Sequence, residues 1–489
     1  TLIFEHPTVG ELLAHLAKIS GDKDDAPNLL PLVKADQTQP LPLSFAQQRL
    51  WFNQTSNRAN SYNIIAPFRL KGPLDLAALE QSLTALLVRH EVLRTVFPIV
   101  DGTPVQVITA VQPVKLVPID LQHLGMAEQT AAITGLIEQE VQHVYDLAQG
   151  LLLHIVCAKL APEQHFLLLA INHILIDAGS LAQILVELGQ LYTATVTGAP
   201  LSLIPLPFQY ADYAVWQRRA LTPAMLERRV QYWVERLTRA ASLFELYHDK
   251  PRPARESFRG ATIPFQITVA QTQQLQATQK ASGATLFNTI LAAWAALLYR
   301  YGQGEELVVG APFANHVHEE MTSVIGHWAS MLILPLRFQD TPTFLTLIQQ
   351  VNQATREAIS HDVPIDQLVQ ALPATHKRNN LPHQFLIRYV PGNITLDLRT
   401  AGVTVMPLEN KATMLRPDLA LAVFEEKRAD GIHLACEWEY KLDLFDEASI
   451  CRMIEDFYQL LDALIADPTY AIEQVPLSNL SQFMDRMSS

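Results

Sequence analysis

The apolar positions of the chain predict a buried strand that leads through a short turn into a helix. Residues 166–171 are continuously apolar, which is typical of a strand buried on both faces. Ser180 and Gln183 then have the spacing of a helical capping box. Apolar side chains follow at helical intervals, at Leu181, Ile184, Leu185, Leu188 and Leu191. The turn between strand and helix carries one imidazole, His173, and one carboxylate, Asp177.

The same periodicities predict the secondary structure of the rest of the chain. Helices are expected at residues 75–90, 225–237, 285–301 and 450–464. Gly302 would end the third of these helices. Strands are expected at residues 307–309 and 331–338. Because strands alternate with helices twice along the chain, we expect two α/β halves.

Composition narrows the class of protein. At 489 residues the chain is long enough for two or three globular units. Its 17% charged and 49% apolar residues argue against a disordered protein. The longest apolar run is broken by Asn172 and His173, so no membrane partner is expected. A net charge of −13 argues against nucleic acid as a partner.

Neither the cysteines nor the histidines have the spacing of a metal site. Cys157, Cys436 and Cys451 lack metal or disulfide spacing, which favours a reducing, cytoplasmic location. No metal-ligand spacing relates the histidines His154, His165, His316, His318 and His327. We therefore expect no bound metal.

His173 is the first candidate for chemistry. A histidine at a strand end, beside a helix N-terminus, is held rigidly yet can face a cavity, which suits acid–base work. No other titratable group of this segment exchanges protons near neutral pH. A single His-x-x-x-Asp pattern is more often structural than catalytic, so its meaning depends on the other motifs of the chain.

Several further stretches form an ordered set of motifs. They are residues 42–52, 89–97, 172–178, 210–216, 325–332, 362–366 and 378–379. In this order they are similar to the motifs of the condensation domains of nonribosomal peptide synthetases. Next to the last two motifs, Ser360 and Asn380 stand at positions where the family has His and Pro. The resemblance covers almost the whole chain.

The active-site motif of that family reads His-His-x-x-x-Asp-Gly. His173 and Asp177 match it, whereas Asn172 takes the place of the first His and Ala178 that of the Gly. The resemblance makes His173 the catalytic residue. It makes Asn172 a support of the site, because an amide donates and accepts hydrogen bonds as a neutral imidazole does.

The resemblance also assigns supporting roles to other residues. Asp177 is expected to be buried and paired with Arg94 from the second motif. Ala178 and Gly179 would support the active site, Ala178 without strain only if its φ is negative. Ser330 and Trp328 are expected along the substrate tunnel, while Tyr210, Tyr213 and Trp216 are interpreted as a packing cluster between the halves.

The family resemblance implies the fold and the domain boundaries. The fold class is α/β, with two chloramphenicol-acetyltransferase-like subdomains in a V-shaped pseudo-dimer around a central tunnel. We expect these subdomains at residues 41–217 and 218–489. Residues 1–20 resemble the C-terminal end of a peptidyl carrier domain, and residues 21–40 read as a linker.

The expected reaction joins a donor thioester to an acceptor amine. Both substrates would arrive on the 4'-phosphopantetheine arms of an upstream donor and a downstream acceptor carrier domain, beside an adenylation domain of the same multidomain enzyme. No cofactor is expected to bind the domain itself.

Two alternatives stay open because the active-site motif departs from the family at two positions. A modified condensation domain would alter the acceptor residue by dehydration or epimerisation, although the opening motif at residues 42–52 favours condensation over epimerisation. A catalytically idle platform would instead recruit carriers or tailoring enzymes.

Overall fold

The structure is a computed structural model. It describes residues 30–56, 62–201, 203–239, 244–253, 257, 259–314, 318–338, 342–373, 384–390, 392, 396–408, 415–428 and 430–480. The predicted carrier remnant at residues 1–20, part of the linker and the motif at residues 378–379 lie outside the described residues.

The described elements alternate between helices and strands. The helices are α1 (Phe45–Ser56), α2 (Leu76–Arg89), α3 (Met126–Gln142), α4 (Ala178–Thr197), α5 (Tyr210–Ala220), α6 (Pro223–Thr238), α7 (Val269–Ser282), α8 (Leu286–Arg300), α9 (Phe344–Ser360), α10 (Ile365–Ala371) and α11 (Glu447–Ala466).

The strands of the first half are β1 (Leu41–Pro42), β2 (Asn63–Lys71), β3 (Thr95–Val96), β4 (Ile99–Val100), β5 (Thr103–Ile108), β6 (Ile119–Asp120), β7 (Leu153–Ala161) and β8 (Gln164–Asn172). Those of the second half are β9 (Glu245–Leu246), β10 (Gly260–Ile267), β11 (Gly302–Gln303), β12 (Glu306–Ala314), β13 (Ala329–Arg337), β14 (Phe385–Val390), β15 (Thr404–Pro407), β16 (Leu419–Arg428) and β17 (Gly431–Lys441).

Two large sheets organise the two halves, as the alternation of strands and helices predicts. The first has the strand order β15-β2-β8-β7-β6, and the second β10-β17-β16-β14-β12-β13. Helices α8, α9 and α11 pack against the second sheet, with Leu297, Leu347 and Phe457 in the same core as Val309 and Leu421. Each half thus has its own apolar core.

Two segments that come late in the chain complete the first half. Strand β15 pairs antiparallel with β2, so that Thr404 lies opposite Lys71. Val324, Ile325 and Trp328 are buried in the first core. The second half therefore supplies part of the wall that surrounds the end of β8.

Strand β8 confirms the prediction for residues 166–171. It runs antiparallel to β2 on one side and to β7 on the other. The side chains from Phe166 to Asn172 are buried. Because neighbouring strands satisfy the backbone and apolar layers cover both faces, a continuously apolar sequence is the one that fits.

The predicted helices are confirmed, but the predicted role of Gly302 is wrong. Gly302 belongs to β11 and has no left-handed backbone conformation. A Cβ at this position would lie 2.2 Å from Cζ of Phe244. The close approach of Phe244 requires the glycine, so it does not serve as a helix stop.

No single helix in the described part of the chain is long and apolar enough to cross a membrane. Helices α7 and α8 pass that test only as a pair, by length and composition, and they are bent by 105°.

Candidate functional site

The turn after β8 is anchored from two sides. The backbone N–H of His173 donates to the carbonyl of Tyr62 at 2.6 Å, just before β2. The N–H of Asp177 donates to the carbonyl of Gly326 at 3.2 Å, just before β13. The turn is therefore held between the first sheet and a segment of the second half, and α4 begins directly after it at Ala178.

The imidazole of His173 has a defined orientation. Its Nδ1 lies 2.6 Å from the carbonyl oxygen of Ile176. A carbonyl can only accept, so Nδ1 carries a proton, and Nε2 of the neutral ring is an acceptor. Burial lowers the pKa of His173, the Ile176 carbonyl and Asp177 oppose that shift, and Arg49 adds to it. The ring is thus neutral near pH 7, as proton acceptance requires.

A second imidazole lies beside the first. The rings of His173 and His327 are 4.6 Å apart between centroids and nearly perpendicular, at 81°. Nδ1 of His327 lies 3.5 Å from the same carbonyl of Ile176. Burial, together with His173 and Arg49, lowers the pKa of His327 well below its usual value.

Asn172 is embedded in hydrogen bonds at the end of β8. Its Nδ2 donates to Oε1 of Gln54 at 3.1 Å and to Oδ1 of Asn63 at 3.3 Å. Its Oδ1 accepts from the backbone N–H of Ile174 at 3.1 Å. The side chain is 1% exposed. The amide therefore connects β8, α1 and the start of β2 to the turn.

The predicted pair between Asp177 and Arg94 is wrong. Oδ1 of Asp177 accepts from the backbone N–H of Ser180, and Oδ2 from that of Trp328, both at 2.9 Å. Arg94 instead donates to the carbonyls of Leu87 and Thr109. It also forms an ion pair with Glu91 at 3.5 Å.

The carboxylate of Asp177 accepts hydrogen bonds from backbone N–H groups because Asp177 is the N-cap of α4. A carboxylate there satisfies free backbone N–H groups and interacts favourably with the positive end of the helix dipole. The predicted capping box at Ser180 is therefore wrong by three residues. The Ser180 hydroxyl donates to the carbonyl of Gly326 at 2.7 Å and accepts from its N–H at 3.0 Å.

Ala178 and Gly179 form the exposed first turn of α4. Among the described residues other than glycine, only Asp101 has a positive φ, so Ala178 meets the expected condition. A Cβ on Gly179 would make an ordinary contact of 3.6 Å with Asp177. Neither backbone position demands a glycine.

Trp328 and Ser330 both line a cavity beside His327, but their side chains make different contacts. The indole of Trp328 donates to the carbonyl of Val324 at 2.9 Å and is 3% exposed. It packs 5.1 Å from the ring of Tyr210 and 4.6 Å from that of Tyr213. Trp328 thus packs with Tyr210, Tyr213 and Trp216 in the first core, which confirms the cluster as packing but places it within the core of the first half. The Ser330 hydroxyl donates to Asp362 at the cavity wall.

Sequence reasoning missed two arginines, Arg49 close to the two histidines and Arg416 at Tyr62. Arg49 affects the pKa of His173 and His327, and burial lowers its own pKa. The guanidinium of Arg416 lies over the ring of Tyr62, 4.7 Å from its centre. Arg49 lies within the opening motif, which is the signal that could have found it, whereas nothing in the sequence around Arg416 points to the site.

No cluster of metal-binding side chains occurs within the described residues. The site combines two neutral imidazoles, the guanidinium group of Arg49 and a turn held by backbone hydrogen bonds.

Comparison with known proteins identifies one family. A sequence model of the condensation domain matches residues 37–483. A linear gramicidin synthase protein of Brevibacillus parabrevis is 37% identical over 97% of this chain, and malpibaldin synthetase of Mortierella alpina is 34% identical over 97%. The chain spans 9% and 8% of these proteins.

Solved structures show the same fold. The X-domain from teicoplanin biosynthesis, solved in complex with OxyB, has a TM-score of 0.77 and 26% identity, over 91% of this chain and 98% of that one. The first condensation domain of the CDA synthetase has a TM-score of 0.67 and 19% identity, over 90% of this chain and 100% of that one.

Proposed function

The chain belongs to the condensation-domain family, and on that basis we propose that it joins a donor thioester to an acceptor amine. Its relatives are peptide synthetases. The state of His173 supports the proposal most directly, since Nδ1 is bound to Ile176 and the neutral ring presents Nε2 as an acceptor.

In this reaction the acceptor nitrogen attacks the carbonyl carbon of the donor thioester. A C–N bond forms, the C–S bond breaks, and the sulfur leaves with the donor carrier. The amine loses a proton, which Nε2 of His173 accepts and passes to the departing thiolate, or which reaches the thiolate directly while Nε2 orients the amine through a hydrogen bond. Such assistance contributes about a hundred- to ten-thousand-fold to the rate.

Orientation provides the larger contribution, because a thioester is already activated. Correct placement of two reactants supplies about 7–11 kcal/mol. Asp177 acts as a positioning residue, since its carboxylate holds the start of α4 against the backbone of Trp328. Asn172 positions the other end of the turn.

The proposed substrates arrive on phosphopantetheine arms. We assign them to carrier domains upstream and downstream, with an adenylation domain in the same enzyme. In this assignment residues 1–20 are the end of the donor carrier domain. The chain's small share of its relatives' length is consistent with one domain of a multidomain synthetase.

The test is intact-mass analysis of both carrier domains, loaded with donor and acceptor, after mixing with the protein. Peptide on the acceptor carrier is the expected product. His173→Ala should lower the rate at least about a hundredfold. The matched control is His154→Ala, because His154 contacts Glu140 in the first half and not the turn. Full turnover by His173→Ala would contradict the proposed role of the imidazole.

A second candidate is a platform that recruits another enzyme. The similarity to an X-domain solved with OxyB favours it. For a platform, the masses of both loaded carriers stay unchanged with the wild-type protein, so the same assay separates the two functions.

A further inference from the structure

A cavity is lined by His327, whose buried Nε2 has no hydrogen-bond partner in the described part of the chain. Its volume is about 40 Å³, room for about three water molecules. Its wall includes Arg49, His327, Ser330, Asp362 and Asp366. The cavity is separate from His173 but lies against the ring that touches it.

Several polar side chains of the wall already bind one another. Ser330 donates to Asp362. Gln217 accepts from the backbone N–H of Phe45 at 3.0 Å and donates to the hydroxyl of Tyr213 at 2.9 Å. These groups are satisfied by the fold.

His327 is not satisfied in the same way. Its side chain is 1% exposed, and its Nε2 is buried with no hydrogen-bond partner in the described part of the chain. Nδ1 lies 3.5 Å from the carbonyl of Ile176. In the tautomer with the proton on Nδ1, Nε2 is an acceptor. A buried acceptor without a donor is costly, so a donor from a ligand would be favoured here.

Arg49 and Asp366 place a positively charged group and an acidic group in the wall of the cavity. Burial lowers the pKa of Arg49 and raises that of Asp366, and their mutual attraction opposes both shifts. The hydrogen bonds and ion pairs of the described residues do not join these two side chains directly. Arg49 disfavours a cationic ligand at its side of the wall, and the two carboxylates, Asp362 and Asp366, disfavour an anionic one.

We propose that this cavity binds the side chain of the acceptor residue when that side chain is an uncharged hydrogen-bond donor and acceptor, a hydroxyl or a carboxamide. The group donates to Nε2 of His327 and accepts from Arg49. An alkyl side chain leaves Nε2 of His327 without a donor, and a carboxylate is repelled by Asp362 and Asp366. The inference rests on the proposed function, because that function brings the acceptor residue to His173, 4.6 Å from the ring of His327.

Binding of non-reactive analogues tests the subsite without turnover. Seryl, asparaginyl, alanyl and aspartyl amides of aminopantetheine are titrated by calorimetry into the wild-type protein and into His327→Phe and Arg49→Met. A neutral hydrogen bond changes affinity about three- to tenfold. We expect the seryl or the asparaginyl analogue to bind about tenfold more tightly than the alanyl one, and both variants to lose that ratio. The control His154→Phe should keep the ratio.

Three results would overturn the subsite: equal or undetectable binding of all four analogues, tightest binding of the aspartyl analogue, or an intact ratio in both variants. The seryl and asparaginyl results distinguish a hydroxyl from a carboxamide site. His173→Ala should keep the ratio while it loses product formation. A wild-type protein that keeps the ratio but forms no peptide would refute the proposed function alone.

Discussion

Replacing Asp177 by alanine should destabilise the first half of the protein more than removing an ordinary helix cap. The change removes the N-cap of α4, which typically costs about 0.5–2 kcal/mol. It also leaves the backbone N–H of Trp328 without its 2.9 Å acceptor. An unsatisfied buried donor costs about 1–3 kcal/mol. We therefore expect a loss of about 1.5–5 kcal/mol in the free energy of unfolding.

Asp75→Ala is the matched control for this prediction. Asp75 caps α2 through one bond, from the N–H of Ala78 at 3.0 Å, and its side chain is exposed. It should cost about 1 kcal/mol. Urea unfolding followed by tryptophan fluorescence measures both variants, together with His173→Ala, whose half-buried ring makes one described hydrogen bond, to Ile176.

Asp177→Ala should be the least stable of these three proteins. A loss no larger than that of Asp75→Ala would refute the reasoning, because it would mean that the contact with Trp328 contributes nothing. Asp177→Asn keeps one acceptor oxygen and should recover part of the loss.

Three further predictions concern the site and its support. Asn172→His should leave the mass of the carrier-bound product unchanged; a loss of water that disappears in this variant would instead favour the modified condensation domain. The acid limb of the pH–rate profile should lie below the usual histidine value of 6.5 and move to higher pH in Arg49→Met, because burial and Arg49 both lower the pKa of His173. The unfolded chain binds more protons than the folded protein, so the free energy of unfolding should also fall as the pH drops below about 6.5. A rate and a free energy of unfolding that both stay constant from about pH 5 to 7 would contradict this. Gly326→Ala should destabilise the protein by about 1–3 kcal/mol or more, because its Cβ would lie 1.8 Å from the ring of Tyr210. The control Gly135→Ala, in open space on α3, should stabilise it by about 0.5–1 kcal/mol. Equal melting temperatures of the two variants would refute the packing argument.

Local patterns were sufficient for the elements that carry the site. Residues 166–171 form a buried strand because a strand covered on both faces selects continuous apolar sequence. Helix α2 begins after Asp75 and ends at Arg89, close to the predicted bounds, because its apolar side chains repeat at helical spacing. These properties depend on neighbours three or four residues away, which the sequence displays directly.

Partners from distant segments could not be obtained in the same way. The family resemblance implied Arg94 as the partner of Asp177, since an ion pair is a common solution for a buried carboxylate. The structure satisfies that carboxylate with the N–H groups of Ser180 and Trp328. Backbone donors are present at every residue and carry no mark in the sequence.

Motifs and periodicity alone were enough for the family, for the strand, turn and helix around His173, and for the presence of one capable imidazole. They did not indicate that His327 lies within 4.6 Å of that imidazole, or that Arg49 is close enough to lower the pKa of both rings. The packing of the segment around Trp328 into the first core brings His327 to the site, and helix α1 brings Arg49. Periodicity indicates which face of a helix or strand is buried. The residues that cover that face can lie more than about a hundred positions away in the sequence, and only the folded chain brings them together.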